Sequence, residues 1–210
     1  MQTELFSPDP AKMDREYLPL GADKLSFWRH AIEPERAAEL VKQLQEEIPW
    51  QQVHLWLGGR KRAIPRLQCW MGDRYSHYGY SGMRLQPAPW HEAVMRIKER
   101  VEKLTCREFN SVLLNLYRNG QDSVSWHADD EQELGPRPGI ASVSLGAERQ
   151  FQLKPKSGDS RCKHQILLPA GSLLFMEEGL QDRWLHQIPK VKGLTLARIN
   201  LTFRRIIASS

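Results

Sequence analysis

The stretch Ala197-Arg-Ile-Asn-Leu-Thr-Phe-Arg204 alternates polar and apolar residues without a break. Successive side chains on a strand point to opposite faces, so Arg198, Asn200, Thr202 and Arg204 share one face and Ala197, Ile199, Leu201 and Phe203 the other. Such a strand can lie half in water with its polar face solvated. Ser111–Tyr117 carries a related pattern, with Asn115 and Tyr117 opposite Val112, Leu114 and Leu116. If both polar faces turn into one barrel mouth, Arg198, Arg204, Asn115, Asn200, Thr202 and Tyr117 converge. Buried guanidinium groups require anions, and their planar donor forks match carboxylates. A small dicarboxylate would satisfy them.

Further short runs of the same texture surround these two: Ile140–Leu145, Gln150–Leu153, Gln165–Leu168 and Ser172–Met176, separated by Gly, Pro and Asp/Asn clusters. They predict a mostly antiparallel β-sandwich or small barrel. The N-terminal half reads differently. Ala37, Leu40, Val41, Leu44 and Ile48 recur at helical spacing after Pro34, and Pro49 ends the run. A second helix is expected from near Pro89, with Trp90, Ala93, Val94, Ile97, Val101 and Leu104 on one stripe. Residues 1–23, polar and holding Pro8, Pro10 and Pro19, read as an arm or extended lead-in. The fold class expected is α+β, with N-terminal helices packed on a C-terminal β domain.

Composition bounds the function. A chain of 210 residues buries roughly 70% of its unfolded surface and needs no disulfide framework. Hydrophobic content of 40% with 26% charged residues suits a soluble globular protein. No apolar run approaches the ~18 residues of a membrane span, and no signal-peptide core opens the chain. Three widely spaced cysteines, Cys69, Cys106 and Cys162, fit buried thiols in a reducing compartment. The expected location is therefore intracellular and not secreted, cytoplasmic in a bacterium or nuclear in a eukaryote. The net charge of +5 is uneven: residues 1–50 hold six Lys/Arg against ten Asp/Glu. Arg60, Lys61, Arg62, Arg66 and Arg74 face a single acid, Asp73. Such a cluster suits a polyanion, since each cation near a phosphate displaces condensed counterions, and it suits equally a solvated basic loop.

A second constellation is Trp126-His127-Ala128-Asp129, with His186 much later. His and Asp two apart on an extended segment can face one ion, and a distant His can complete three ligands on one side of it. Two His and one carboxylate with open positions suit non-haem Fe(II), and the same ligand types can hold Zn²⁺. A His-x-Asp alone is most often incidental. Its coincidence with a two-Arg strand in the same β domain is what gives it weight.

Together, Asn115-Leu-Tyr117, His127-Ala-Asp129-Asp-Glu131, Ile140-Ala-Ser-Val-Ser-Leu-Gly146, His186 and Arg198–Arg204 resemble the AlkB-type Fe(II)/2-oxoglutarate dioxygenases, in order and register over about residues 65 to 206. Tyr78-Gly-Tyr-Ser-Gly82 and the Asp129-Asp-Glu131 run look closest to the double-strand DNA repair branch. The resemblance implies a double-stranded β-helix (jelly-roll) core over 108–207 and N-terminal helices with a nucleotide-recognition lid over 24–107, the two forming one compact domain. It implies Fe(II) held by His127, Asp129 and His186, with O₂ and 2-oxoglutarate as cosubstrates. Arg198, Asn200, Arg204, Asn115 and Tyr117 would hold the two carboxylates of 2-oxoglutarate, with Thr202 completing that pocket. Tyr78 would lie over a flipped base, with Tyr80 a second stacking surface, Asp130 and Glu131 at the polar edge of the base, and Arg66 on nucleic acid. The activity implied is oxidative demethylation of 1-methyladenine- or 3-methylcytosine-type lesions in DNA by a monomer that needs no membrane; RNA or a non-nucleic-acid substrate is the alternative. The departure lies upstream. The hydrophobic wedge that those relatives push into a duplex is not matched in Trp56-Leu-Gly-Gly-Arg60, where Trp56 or Leu57 would have to do that job.

Overall fold

The computed structural model describes residues 15–20, 23–73, 78–80, 83–85, 87–158 and 163–207. Strands β1 (Glu16–Leu20) and β2 (Asp23–Trp28) come first, then helix α1 (Pro34–Glu47), the hairpin β3 (His54–Leu57) and β4 (Arg60–Ala63), and β5 (Leu67–Gly72). A short hairpin, β6 (Tyr78–Tyr80) and β7 (Met83–Leu85), leads to helix α2 (Glu92–Thr105). The second half is nearly all strand: β8 (Ser111–Tyr117), β9 (Val124–His127), β10 (Ile140–Gly146), β11 (Arg149–Pro155), β12 (His164–Leu168) and β13 (Leu173–Met176). The short helix α3 (Leu180–Arg183) then gives way to β14 (Trp184–Ile188) and β15 (Arg198–Arg204).

From β8 onward the chain winds back and forth between two sheets. One holds β13-β10-β15-β8 in that order, the other β12-β11-β14-β9, and every pairing is antiparallel. This is the jelly roll that the family resemblance implies, and a form of the antiparallel sandwich that the alternating runs predict. The first sheet is widened to seven strands, β1-β2-β13-β10-β15-β8-β5. Two apolar layers flank it. Val112, Leu114, Leu116, Val143, Leu145, Ile199, Leu201 and Phe203 pack outward with the buried stripes of α1 and α2. Leu113, Leu174 and Met176 point the other way, toward Phe151, Leu153 and Ile188 of the second sheet. The polar face of β15 shares that inner layer, and all seven residues of the strand are buried. It is not half in water.

The helices follow the sequence pattern closely. Pro34 sits in the first turn of α1, where its fixed φ and missing N–H cost nothing, and the helix ends just before Pro49. Helix α2 starts at Glu92, later than Pro89, because His91 caps it: Nδ1 of His91 accepts from the Ala93 N–H at 3.2 Å.

Several features depart from the sequence reading. Glu16–Leu20, read within the N-terminal arm or extended lead-in, pairs along β2 as an edge strand, the kind of strand in which a proline is tolerated. The segment between the helices holds strands too, and β5 joins the main sheet beside β8. Of the cysteines expected to be buried, Cys69 is and Cys106 is exposed, while Cys162 lies outside the described residues. Gly146 ends β10 at φ +82°, and a Cβ there would lie 2.5 Å from the Ala197 carbonyl oxygen. Only glycine lets β10 and β15 approach at that point, where Gly146 faces Arg198 in the ladder.

Candidate metal centre and dicarboxylate pocket

Two strands and the loop that follows one of them deliver a His–Asp–His cluster. His127 is the last residue of β9 and lies opposite His186 of β14 in the ladder, so the pairing itself brings the rings together, centroids 4.2 Å apart. Asp129 follows two residues beyond β9, with Oδ1 4.0 Å from His127 Nε2 and Oδ2 4.0 Å from His186 Nε2. One ligand atom from each of the three lies within 4.8 Å of the others.

The surroundings fix each ligand. His127 Nδ1 lies 2.8 Å from the Ser125 carbonyl oxygen, which requires the proton on Nδ1 and leaves the Nε2 lone pair facing the cluster. His186 is 4% exposed and stacks on Phe151 at 5.2 Å. Burial is the main cause that pushes its pKa down to about 3, so at neutral pH it is the neutral imidazole a metal needs. Burial opposes ionisation of Asp129, but Arg204 and then the two imidazoles prevail and hold its pKa at about 2. Arg204 Nη2 donates to Asp129 Oδ1 at 2.6 Å. The Asp129 N–H donates to Oε1 of the fully buried Gln181 at 3.0 Å, which fixes the backbone as well. Neutral imidazoles and an ionised carboxylate are the donor set for a divalent cation, and the cluster fits one.

From this cluster a cavity runs between the sheets along the polar face of β15, lined among others by Asn115, Tyr117, Arg198, Asn200, Thr202 and Arg204. Asn200 is spent on the wall: Nδ2 donates to Ser142 Oγ at 2.8 Å and to the Val143 carbonyl at 3.0 Å, and Oδ1 accepts from Thr202 Oγ1 at 2.9 Å. Asn115 Oδ1 accepts from Arg66 Nε at 2.8 Å and Gln68 Nε2 at 2.9 Å. Its amide NH₂ is then the group left to donate. Arg198, 1% exposed, donates from Nη2 to Ser144 Oγ at 2.9 Å, while Nε and Nη1 meet no acceptor among the described residues. Burial lowers its pKa to about 10. A buried guanidinium with two donors unmet is a site made for a planar anion, and a carboxylate fits it.

The other residues singled out in the sequence scatter. Arg66 does not stand with the exposed Arg60, Lys61 and Arg62; it is 5% exposed, bonded to Asn115, and lines the pocket. Asp130 is exposed and accepts from Lys156 Nζ at 2.7 Å, and Glu131 lies next to it, half-buried. Tyr78 and Tyr80 lie on β6, but their side chains, like Arg74, fall outside the described residues. Gln68, Ser142, Ser144, Arg149 and Gln181 were missed. The two serines had a signal: Ile140–Leu145 alternates like β15, with Ser142 and Ser144 opposite Ala141, Val143 and Leu145.

The 2OG-Fe(II) oxygenase superfamily model matches residues 24–204. The chain belongs to that superfamily. The alpha-ketoglutarate-dependent dioxygenase alkB homolog 3 of Homo sapiens is 36% identical over 214 residues, covering 95% of this chain and 74% of that protein. The DNA oxidative demethylase ALKBH2 of Homo sapiens is 37% identical over 182 residues, covering 81% and 69%. The solved structure of OsALKBH1 superposes with a TM-score of 0.65 at 16% identity, over 91% of this chain and 100% of that one, a likeness of fold. As a 2OG-Fe(II) oxygenase the chain is an Fe(II)/2-oxoglutarate-dependent dioxygenase with O₂ as cosubstrate. The AlkB likeness seen in the motifs holds over most of its length. Among the described residues no helix is long and apolar enough to cross a membrane.

Proposed function

We propose that this chain is an oxidative demethylase of N-alkylated bases in DNA, of the 1-methyladenine and 3-methylcytosine type. The observation that carries the reading is the burial of β15's polar face, with the His127–Asp129–His186 cluster at its Arg204 end and an unsatisfied guanidinium at its Arg198 end. The human relative named DNA oxidative demethylase supports the substrate class.

In this reading His127, Asp129 and His186 hold the iron. Arg198, with Asn115 and Tyr117, takes the distal carboxylate of 2-oxoglutarate; Arg204 locks Asp129 and borders the other end of the cosubstrate, between walls made by Asn200 and Thr202. Iron with 2-oxoglutarate and O₂ would supply the oxidation of an N-methyl carbon: that carbon would leave as formaldehyde with the base N–H restored, and 2-oxoglutarate would become succinate and CO₂. The chain's own part is to place that carbon and exclude water. A duplex would bury the carbon, so the base enters flipped or from a single strand, and methylation at its pairing edge lowers the cost of extrusion. Asp130 and Glu131, beside the metal aspartate, meet the polar edge of the base, and Tyr78 and Tyr80 stack on it. Arg66, at the pocket wall, contributes through Asn115 and the entering strand. Exposed Arg60, Lys61 and Arg62 grip phosphates without reading sequence, and Trp56, 74% exposed on the same hairpin, serves as an apolar wedge into a duplex.

The test is formaldehyde and succinate release from a 1-methyladenine oligonucleotide, with Fe(II) and 2-oxoglutarate loaded anaerobically before O₂ is admitted. Turnover that requires all three and disappears in His127→Ala is expected, with duplex DNA, single-stranded DNA and RNA compared in parallel. Succinate without demethylated base would overturn the substrate assignment. Replacing one of Arg60, Lys61 or Arg62 by Ala should lower the slope of log binding constant against log salt by about one.

A further inference from the structure

One buried cation has no place in the scheme above. Arg149 opens β11 and is 1% exposed, yet it does not line the pocket. Its Nη atoms donate to main-chain carbonyls of two loops: Asn119 at 3.4 Å, Asp122 at 2.9 Å, and Pro189 beyond β14. Those acceptors are neutral. The nearby carboxylate, Asp122, has both oxygens taken by the Arg118 guanidinium, at 2.7 and 2.8 Å. Arg149 Nε meets no acceptor among the described residues.

Its guanidinium carbon lies 5.5 Å from the centroid of the Tyr117 ring, and that of Arg198 lies 5.2 Å from the same ring. Two buried guanidiniums thus share one phenol at the end of the cavity away from the metal cluster. Burial lowers the pKa of both, and the charge of Arg149 depresses Arg198 further. The Asp122 charge offsets part of the cost at Arg149, and an anion arriving at Arg198 would relieve the remainder.

We propose that Arg149 is a positioning residue for the distal carboxylate of 2-oxoglutarate, fixing Tyr117 against Arg198 and adding a second positive charge behind the ring without touching the ligand. The inference rests on the assignment of this cavity to 2-oxoglutarate. It makes the protein selective for dicarboxylates over 2-oxo acids with an apolar tail. A residue that merely ties the two loops together would affect both kinds of acid alike.

The experiment is calorimetric titration of the Fe(II)-loaded protein, without O₂, using 2-oxoglutarate and 2-oxovalerate, which keeps the 2-oxo acid head and lacks the distal carboxylate. Arg149→Met should weaken 2-oxoglutarate about tenfold, the size expected for one charge acting over this distance through protein, and leave 2-oxovalerate unchanged. Arg149→Lys should restore most of the difference. Arg149→Gln, whose amide can still donate to the loop carbonyls, keeps the test open if the Met variant does not fold, and should lose the same selectivity. Equal weakening of both acids, or no weakening of either, would overturn the proposal. Arg198→Met is the control: if it keeps its affinity for 2-oxoglutarate, the cavity assignment itself falls. If that variant loses affinity while Arg149→Met and Arg149→Gln do not, this inference alone falls.

Discussion

Arg198 and Arg204 stand on one strand, on one face, equally buried, and only their partners differ. Arg204 finds a carboxylate within the fold, Asp129, while Arg198 finds a serine hydroxyl and nothing further for Nε and Nη1. The first is an internal ion pair that finishes the metal cluster. The second is a charge held ready for something from outside. A buried guanidinium is therefore not by itself a binding site; the site is where the fold has left its anion out.

The contrast predicts opposite responses to the same substitution. Arg204→Met leaves Asp129 buried without its cation and should destabilise the metal-free protein by about 3–5 kcal/mol in denaturant titration. Arg198→Met removes an unpaired buried charge and should leave that stability unchanged or raise it, while abolishing measurable binding of 2-oxoglutarate. Similar losses of stability in the two variants would erase the distinction.

Gly146 tests the backbone beneath Arg198. Gly146→Ala forces an alanine to φ +82° against the Ala197 carbonyl and should cost roughly 1–3 kcal/mol, with weakened 2-oxoglutarate affinity as Arg198 shifts.

Acid sharpens the Arg204 end. Both Asp129 and His186 have folded pKa values below their unfolded ones, about 3.9 and 6.5. The unfolded chain thus binds more protons as pH falls, so stability of the metal-free protein should decline from about pH 6.5 downward through both ranges. In Arg204→Met the carboxylate component should move toward ordinary values, and pH-dependent melting would report it. The smallest effect belongs to the surface. Arg205→Ala, which breaks the exposed pair with Glu108, should cost at most about 1 kcal/mol in denaturant titration.

What the sequence made legible follows from period. Alternation in β8 and β15 placed six pocket residues on two faces before any fold was known, and helical spacing located α1 and α2. Alternation cannot say whether a polar face meets water or another sheet, because both give the same pattern; burial of all of β15 decided it. Nor does it identify residues that act from elsewhere. Gln181 reaches the Asp129 backbone from a one-turn helix with no periodic signal, and Arg149 opens its strand as an isolated cation. Arg66 was grouped with its exposed basic neighbours by composition, yet the turn into β5 folds it inward onto Asn115. Charge clustering along a chain averages over side chains that the backbone sends in different directions.

The pairing of His127 with His186 has a consequence for how the protein comes to be. The two rings meet only across β9 and β14, strands that belong to the same sheet but are separated in the chain by β10 to β13, which must already be wound through both sheets. No hairpin or early local fragment contains the site. Ordering such distant partners is slow, and the ligand cluster exists only once the last strands have closed. On the proposed assignment of this cluster, iron would be captured by the finished protein rather than guide its assembly, and would stabilise what has folded by mass action. A chain stalled before β14 docks would carry all three candidate ligands and only two of them side by side.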